Sequence, residues 1–220
     1  MSNYLIHSCQ KRKWYVDEYL VPSMLKQGIK RENISVYNDE HKEGCLTSFL
    51  SSYASVASVP SGVWHLQDDV IISSNFKEVT ETYDRGIVCG FCSYYSKDVP
   101  FGIRPMNDIW YSFPCIRIPN TIFKNFVAWV KSPYVQNKYR VYIEQNKFVD
   151  MLFRIFVMNN HSDMLVHNLC PNIVDNVDYL LGGSVINYIR DKEPVSLYFS
   201  EQNLIEELKY SIDNSVYKQK

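Results

Sequence analysis

Two aspartates stand side by side directly after an apolar run, in Trp64-His65-Leu66-Gln67-Asp68-Asp69-Val70. Adjacent carboxylates repel unless something cationic shares the site. A hard divalent ion such as Mg²⁺ or Mn²⁺ meets that need and bridges naturally to a diphosphate. The same pair is equally suited to capping the turn after the strand. A third carboxylate, Asp150, opens the stretch Phe148-Val149-Asp150-Met151-Leu152-Phe153-Arg154. On the rim of a helix start it can take a proton from an incoming hydroxyl, or it can complement the helix dipole with Arg154 as its i,i+4 partner. Cys89-Gly-Phe-Cys92 is the one tight cysteine pair; with no second pair and no His at finger spacing it reads as core thiols in a strand.

Alternating short strands and helices must position these groups. Tyr4-Leu5-Ile6 predicts a strand, and the helical pattern from Trp14 to Gln27 ends at Gly28. Ile34-Ser35-Val36-Tyr37 predicts a second strand, halted by Asn38-Asp39. Leu46, Phe49, Leu50, Tyr53, Ala54 and Ala57 recur at helical spacing, and Val63-Trp64-His65-Leu66 forms a third strand running into the acidic pair. Further helices are expected over 75–83, 120–130 and 147–158, with strands over 86–91, 110–118 and 164–167 and a Pro/Gly-rich loop at 100–105. This order predicts a single-domain α/β/α sandwich with a mainly parallel central sheet, in which ligands sit beyond the carboxyl ends of the strands. The domain is expected over 1–190, with 191–220 a partly helical, frayed extension.

Composition narrows the function classes. The 220 residues carry 23 Lys+Arg against 24 Asp+Glu, a net charge of -1, so bulk charge drives no binding. With 46% hydrophobic residues the chain is globular rather than disordered. The first residues lack a secretory apolar run and no stretch reaches the roughly 18 apolar residues of a membrane span, so the expectation is a soluble, cytoplasmic protein. The charge is uneven, however. Residues 117–154 hold seven cations against two carboxylates, interleaved with aromatics. Such a stretch suits a nucleic acid, through phosphate neutralisation and stacking, or a sugar; Phe123, Phe126 and Trp129 at helical spacing are expected in the core.

His65-Leu66-Gln67-Asp68-Asp69-Val70-Ile71-Ile72, in this layout, resembles the metal-binding acidic motif of nucleotide-sugar glycosyltransferases with the GT-A fold. The similarity extends over residues 3–190 and is greatest to small phage-type enzymes and to the bacterial lipooligosaccharide and collagen galactosyltransferase-like family. It implies that Asp69, with Asp68, binds Mn²⁺ or Mg²⁺, and that Gln67 and Asp68 face a nucleotide-sugar donor, a UDP-sugar first. It further implies that His7 and Arg12 lie in the nucleotide-binding loop, Arg12 on phosphate, that Asn38 and Asp39 meet base or ribose, and that Asp150 is the general base of an inverting transfer. Cys170-Pro171-Asn172-Ile173-Val174-Asp175-Asn176 resembles the family's carboxyl-terminal segment, with Asn176 where a metal histidine is expected and His167 as its substitute. Gly183 and Ser184 would approach the diphosphate. On the acceptor side the resemblance implies a hydroxymethyl-pyrimidine in phage DNA, with a saccharide or lipid-linked glycan as the alternative; within the basic aromatic stretch the segment 134–142, expected as a loop, would meet it through Tyr134, Lys138, Tyr139 and Arg140. A GT-A-like binding module without activity is the reading from another class, motivated by Gln67 and Asn176.

Overall fold

The computed structural model describes residues 2–91, 102–105, 113–161, 166–183 and 199–214. β1 (Asn3–Cys9) is followed by α1 (Lys13–Tyr15), a π-helical turn over Val16–Leu20 and α2 (Val21–Lys26). Pro22 has no N–H for the carbonyl four residues back, and the ladder just before it widens so that the Val21 amide bonds the Val16 carbonyl. β2 (Ile34–Asp39), α3 (Cys45–Ser52), β3 (Val63–Gln67), the short β4 (Val70–Ile72), α4 (Phe76–Thr82) and β5 (Ile87–Cys89) follow. After β6 (Gly102–Pro105) and β7 (Cys115–Ile118) come α5 (Asn120–Val130), α6 (Pro133–Lys138), α7 (Arg140–Gln145) and α8 (Val149–Asn160). β8 (Val166–Cys170), β9 (Val174–Asn176) and α9 (Gln202–Asp213) complete the described chain.

Among the described residues seven strands form one mixed sheet in the order β2-β1-β3-β7-β5-β8-β6, and β4 pairs with β9 in a small antiparallel ribbon. Five strands of the sheet run one way; β7 and β6 run the other, so the sheet is parallel in its majority and antiparallel around those two. Side chains alternate between two apolar clusters. Tyr4, Ile6, Trp64, Leu66 and Val88 face α1, α2, α4 and α9, whereas Leu5, Val63, Ile87, Cys89 and Ile116 face α3, α5 and α8. The second cluster is largely aromatic: Phe126 lies within 6.2 Å, centroid to centroid, of Phe49, Trp129, Phe153 and Phe156. Phe123 and Phe126 are core, as their spacing predicts, whereas Trp129, expected with them, is half-buried against the cluster. Arg117, counted above in the basic stretch, is buried too. Its guanidinium spans the Gly86 and Ser61 carbonyls at the amino end of β3, so it offers no charge to a partner.

Chain direction puts the functional ends together. β7 descends from Cys115 beside Leu66 to Ile118 beside Val63. There Asn120 bonds the Ala57 carbonyl, and α5 climbs back about 16 Å toward the carboxyl ends of the parallel strands. The segment 134–142, expected as a loop, is instead the helix pair α6–α7, its start capped by Ser132. α9 is the helical part of the expected extension: Ile205, Leu208 and Ile212 recur at helical spacing and are buried, the last two within the first cluster. Among the described residues no helix is long and apolar enough to cross a membrane.

The packing of α9 is measurable. Leu208 is 7% exposed and Tyr210, two residues on, 73%. Leu208→Ala should lower unfolding stability by about 2–3 kcal/mol, whereas Tyr210→Ala should stay within about 0.5 kcal/mol of wild type in urea titrations. Equal effects would mean that the helix is not docked.

Candidate functional site

Arg12 is the centre of the site. A tight turn from the Cys9 carbonyl to the Arg12 amide (3.0 Å) carries the chain off β1 and starts α1, and the arginine side chain turns inward, 1% exposed. Its Nη1 lies 2.6 Å from Asp69 Oδ2 and 3.5 Å from Asp68 Oδ1, and Nη2 donates to the Gly183 carbonyl at 2.8 Å. The Cys9 amide donates to Asp68 Oδ2 at 3.0 Å. The cation that two adjacent carboxylates require is therefore present within the chain. Arg12, expected on phosphate, spends its fork on the acidic pair; the exposed cation of the loop is its neighbour Lys11, beside Gly182.

The acidic pair is rigidly mounted. The Gln67 amide bonds the Pro114 carbonyl, the Val177 amide bonds the Asp69 carbonyl at 2.7 Å, and Tyr15 Oη donates to the Val70 carbonyl. The β4–β9 ribbon thus clamps the chain right after Asp69. Burial, reinforced by the Asp69 charge, pushes the Asp68 carboxyl up to about 6, against the pull of Arg12 and of the Cys9 amide.

The other expected donor-side residues gather at the same strand ends, with different roles. In register, His7 pairs with Gln67 and Tyr37, and Ser8 and Cys9 with Asn38 and Asp39. His7 faces inward: its Nε2 shares a short hydrogen bond with Ser48 Oγ, and its ring lies 5.7 Å from that of His65. Asn38 reaches across to Gln10 Oε1, and Asp39 Oδ1 accepts the Glu43 amide in the turn after β2. Gly182 and Gly183 hold φ of +89° and +84°, a conformation that favours glycine. The Gly183 amide is bonded to the Asp178 carbonyl and its own carbonyl to Arg12, so it presents no free N–H to a diphosphate. Ser184 lies outside the described residues.

Asp150 sits in the first turn of α8, at the carboxyl end of the sheet. Asn146, with φ of +52°, holds that helix start against α3: its Oδ1 accepts the Thr47 amide, its Nδ2 donates to the Glu43 carbonyl, and its carbonyl accepts the Leu46 amide. Gly44 makes the approach possible, since a Cβ there would stand 2.3 Å from Asn146 Nδ2. Burial raises the Asp150 carboxyl above its ordinary value. Burial and then the charges of Asp150 and Asp69 push the Cys45 thiol up to about 12, so one thiol senses both carboxylates. Asn146 is the positioning residue that sequence reasoning missed; an Asn at a helix end, two residues ahead of the next apolar run, was the available signal.

On the expected acceptor side, Tyr134 is 64% exposed and its hydroxyl accepts from Lys138 Nζ at 2.7 Å, with that ammonium 5.2 and 5.4 Å from the Tyr134 and Tyr139 ring centres. Arg140 is engaged by Glu144 at 2.6 Å. His167 does not join the acidic pair. It lies on β8 in the same row as Trp64, three strand spacings or about 14 Å sideways from β3 and well before its carboxyl end. Asn176 turns its Oδ1 to the Asp178 amide, in the turn after β9.

Among the described residues no group of three or more His, Cys, Asp and Glu is arranged to hold a metal. The acidic pair nevertheless has one open donor: Asp69 Oδ1 is buried without a hydrogen-bond partner. Mg²⁺ and Mn²⁺ commonly take one or two carboxylates and complete their shells with substrate phosphate and water. Asp69 fits that requirement; Asp68, with both oxygens engaged, does not. No protein-family model matches the sequence, and no curated protein matches it.

The site sets an acid-side prediction. Burial lowers His7 to about 4 and His65 further, whereas both protonate near 6.5 when unfolded. Their stabilisation is present above about 6.5 and is lost as pH falls toward the folded values. Asp68 opposes them: with its pKa raised to about 6, its contribution is full below about 4 and lost as pH rises through 6. Asp68→Asn should therefore steepen the fall of stability between pH 6 and 4 by about one proton, ~1.4 kcal/mol per pH unit in metal-free urea titrations. An unchanged slope would contradict the raised Asp68 carboxyl.

Proposed function

We propose that this chain is a metal-dependent, inverting glycosyltransferase of the GT-A type, moving a sugar from a nucleotide-sugar donor, a UDP-sugar first, to an acceptor hydroxyl. The observation that carries the reading is the location of the Arg12–Asp68–Asp69 cluster. β1 is flanked by β2 on one side and β3 on the other, so the chain switches direction across the sheet there, and the cluster lies at the carboxyl ends of β1 and β3. In open α/β sheets that crevice is where ligands bind.

Held at Asp69 Oδ1, Mn²⁺ or Mg²⁺ would offset the charge that develops on the diphosphate leaving group. Lys11, exposed beside the Gly182 turn, adds a cation at the rim. Asp150 is the base: burial raises its affinity for a proton, and it accepts the hydroxyl proton as the acceptor oxygen bonds to the anomeric carbon and the bond from that carbon to the diphosphate breaks. Attack opposite the leaving group inverts the anomeric configuration. For the acceptor, the exposed Tyr134 ring and the Lys138 ammonium favour a ligand with flat faces and phosphates, hydroxymethyl-pyrimidine DNA, over a saccharide or lipid-linked glycan. One observation favours a second reading, a silent binding module: Arg12 already neutralises Asp69, the carboxylate that a metal would occupy.

With Mn²⁺ and a panel of nucleotide sugars, the enzyme reading expects hydrolysis or transfer from at least one donor, abolished in Asp69→Asn. Asp150→Asn should cut transfer ~10²–10⁴-fold with donor affinity retained, and proton NMR of the first product should show inversion. Turnover with no donor would leave the module. For the acceptor, Lys138→Ala should reduce the slope of log K against log salt for DNA by about one; an unaltered slope removes DNA from this surface.

A further inference from the structure

Two polar atoms of opposite kind are left unsatisfied in the cluster. Asp69 Oδ1 is a buried acceptor with no donor, and Arg12 Nε is a buried donor with no acceptor. They belong to side chains already joined at 2.6 Å. A cation alone would serve the oxygen but would be placed against the guanidinium. An anion alone would serve the nitrogen but would be placed against two carboxylates. Among ionic ligands, a cation and an anion arriving together answer both, because each then screens the charge that opposes the other.

We infer that Arg12 occupies the cation position of the acidic pair, so that a divalent ion is taken up only together with a diphosphate that draws the guanidinium off Asp69. The inference rests on the donor reading above and adds an order to it: the resting site is self-neutralised, and metal and nucleotide bind as a coupled pair. Three features of the chain support it. Arg12 is held by its two Nη atoms alone, so Nε is left to donate to a phosphate, joined by Nη1 once it leaves Asp69. Lys11, the adjacent exposed cation, is placed to meet that phosphate at the rim. The Asp68 carboxylate keeps its Cys9 amide partner whichever way Arg12 turns, so the pair does not collapse when the guanidinium leaves.

The test is Mn²⁺ binding to the full chain, read by the electron paramagnetic resonance of free Mn²⁺, with and without UDP, for wild type and Arg12→Met. Wild type should bind Mn²⁺ weakly alone and about tenfold or more tightly with UDP, within the usual range of coupling between sites. Arg12→Met should bind Mn²⁺ alone at least about tenfold more tightly than wild type and lose most of the UDP coupling. If Arg12→Met does not fold without metal, millimolar Mn²⁺ should restore its circular dichroism, the ion standing in for the guanidinium. Equal Mn²⁺ affinity in the two proteins, or a variant that stays unfolded in Mn²⁺, overturns the inference. UDP without effect on either protein sinks the donor reading instead, and the Mn²⁺-only comparison still judges Arg12.

Discussion

A guanidinium withdrawn from water governs this molecule. Desolvating such an ion costs several kcal/mol, and the cost is recovered only if its partners are already in place. For Arg12 these are Asp68, Asp69 and the Gly183 carbonyl, which reach it from two loops distant in sequence. Breaking an arrangement of this kind by removing one member typically costs ~3–5 kcal/mol, roughly ten times an exposed i,i+4 pair such as Lys13 with Asp17 or Arg140 with Glu144. The order of β1 and β3 in the sheet, the β4–β9 ribbon and the Gly182–Gly183 turn all serve to deliver those partners. Each is distant in sequence from Arg12, so the site forms only when the domain does.

Behind the acidic pair, on the other face of the sheet, the chain holds two histidines neutral by burial. His7 has Ser48 as a partner, but neither ring nitrogen of His65 does, and its ring is wedged at 4.8 Å against Phe49. A buried polar group without a partner costs about 1–3 kcal/mol. With Arg12 Nε and Asp69 Oδ1, such costs concentrate around the carboxyl ends of β1 and β3. The aromatic cluster of Phe49, Phe123, Phe126, Phe153 and Phe156 packs against the two histidines through Phe49.

The legible part of the fold was the part written in local periodicity. α5 begins and ends at the residues its apolar stripe and Ser132-Pro133 dictate, and β3 runs into the acidic pair as its hydrophobic run implies. β9 was not legible. Val174-Asp175-Asn176 is too short to show alternation, and it is a strand only because Val70–Ile72 offers it a partner. The helix pair α6–α7 was hidden by tyrosines, lysines and polar residues that form no apolar stripe. Arg12 shows the deeper limit. Sequence reveals that a basic residue follows β1 and that two carboxylates follow β3, but not that the first closes on the second; that depends on β1 and β3 being neighbours in register, a long-range fact.

Lys11 and Arg12 show how one turn divides electrostatic labour. The bond from the Arg12 amide to the Cys9 carbonyl reverses the chain so that consecutive side chains leave in opposite directions, one to solvent and one into the cluster. An anion approaching the strand ends meets Lys11 first, in water, where the interaction is weak and screened. It meets the buried cation only if it can replace what Asp69 gives, and there the same charge acts in a low dielectric and counts for far more. At the proposed anion site, selection would therefore be a matter of depth. A net charge of -1 for the whole chain carries no information about it, because the pair and its counter-cation cancel within a few ångströms.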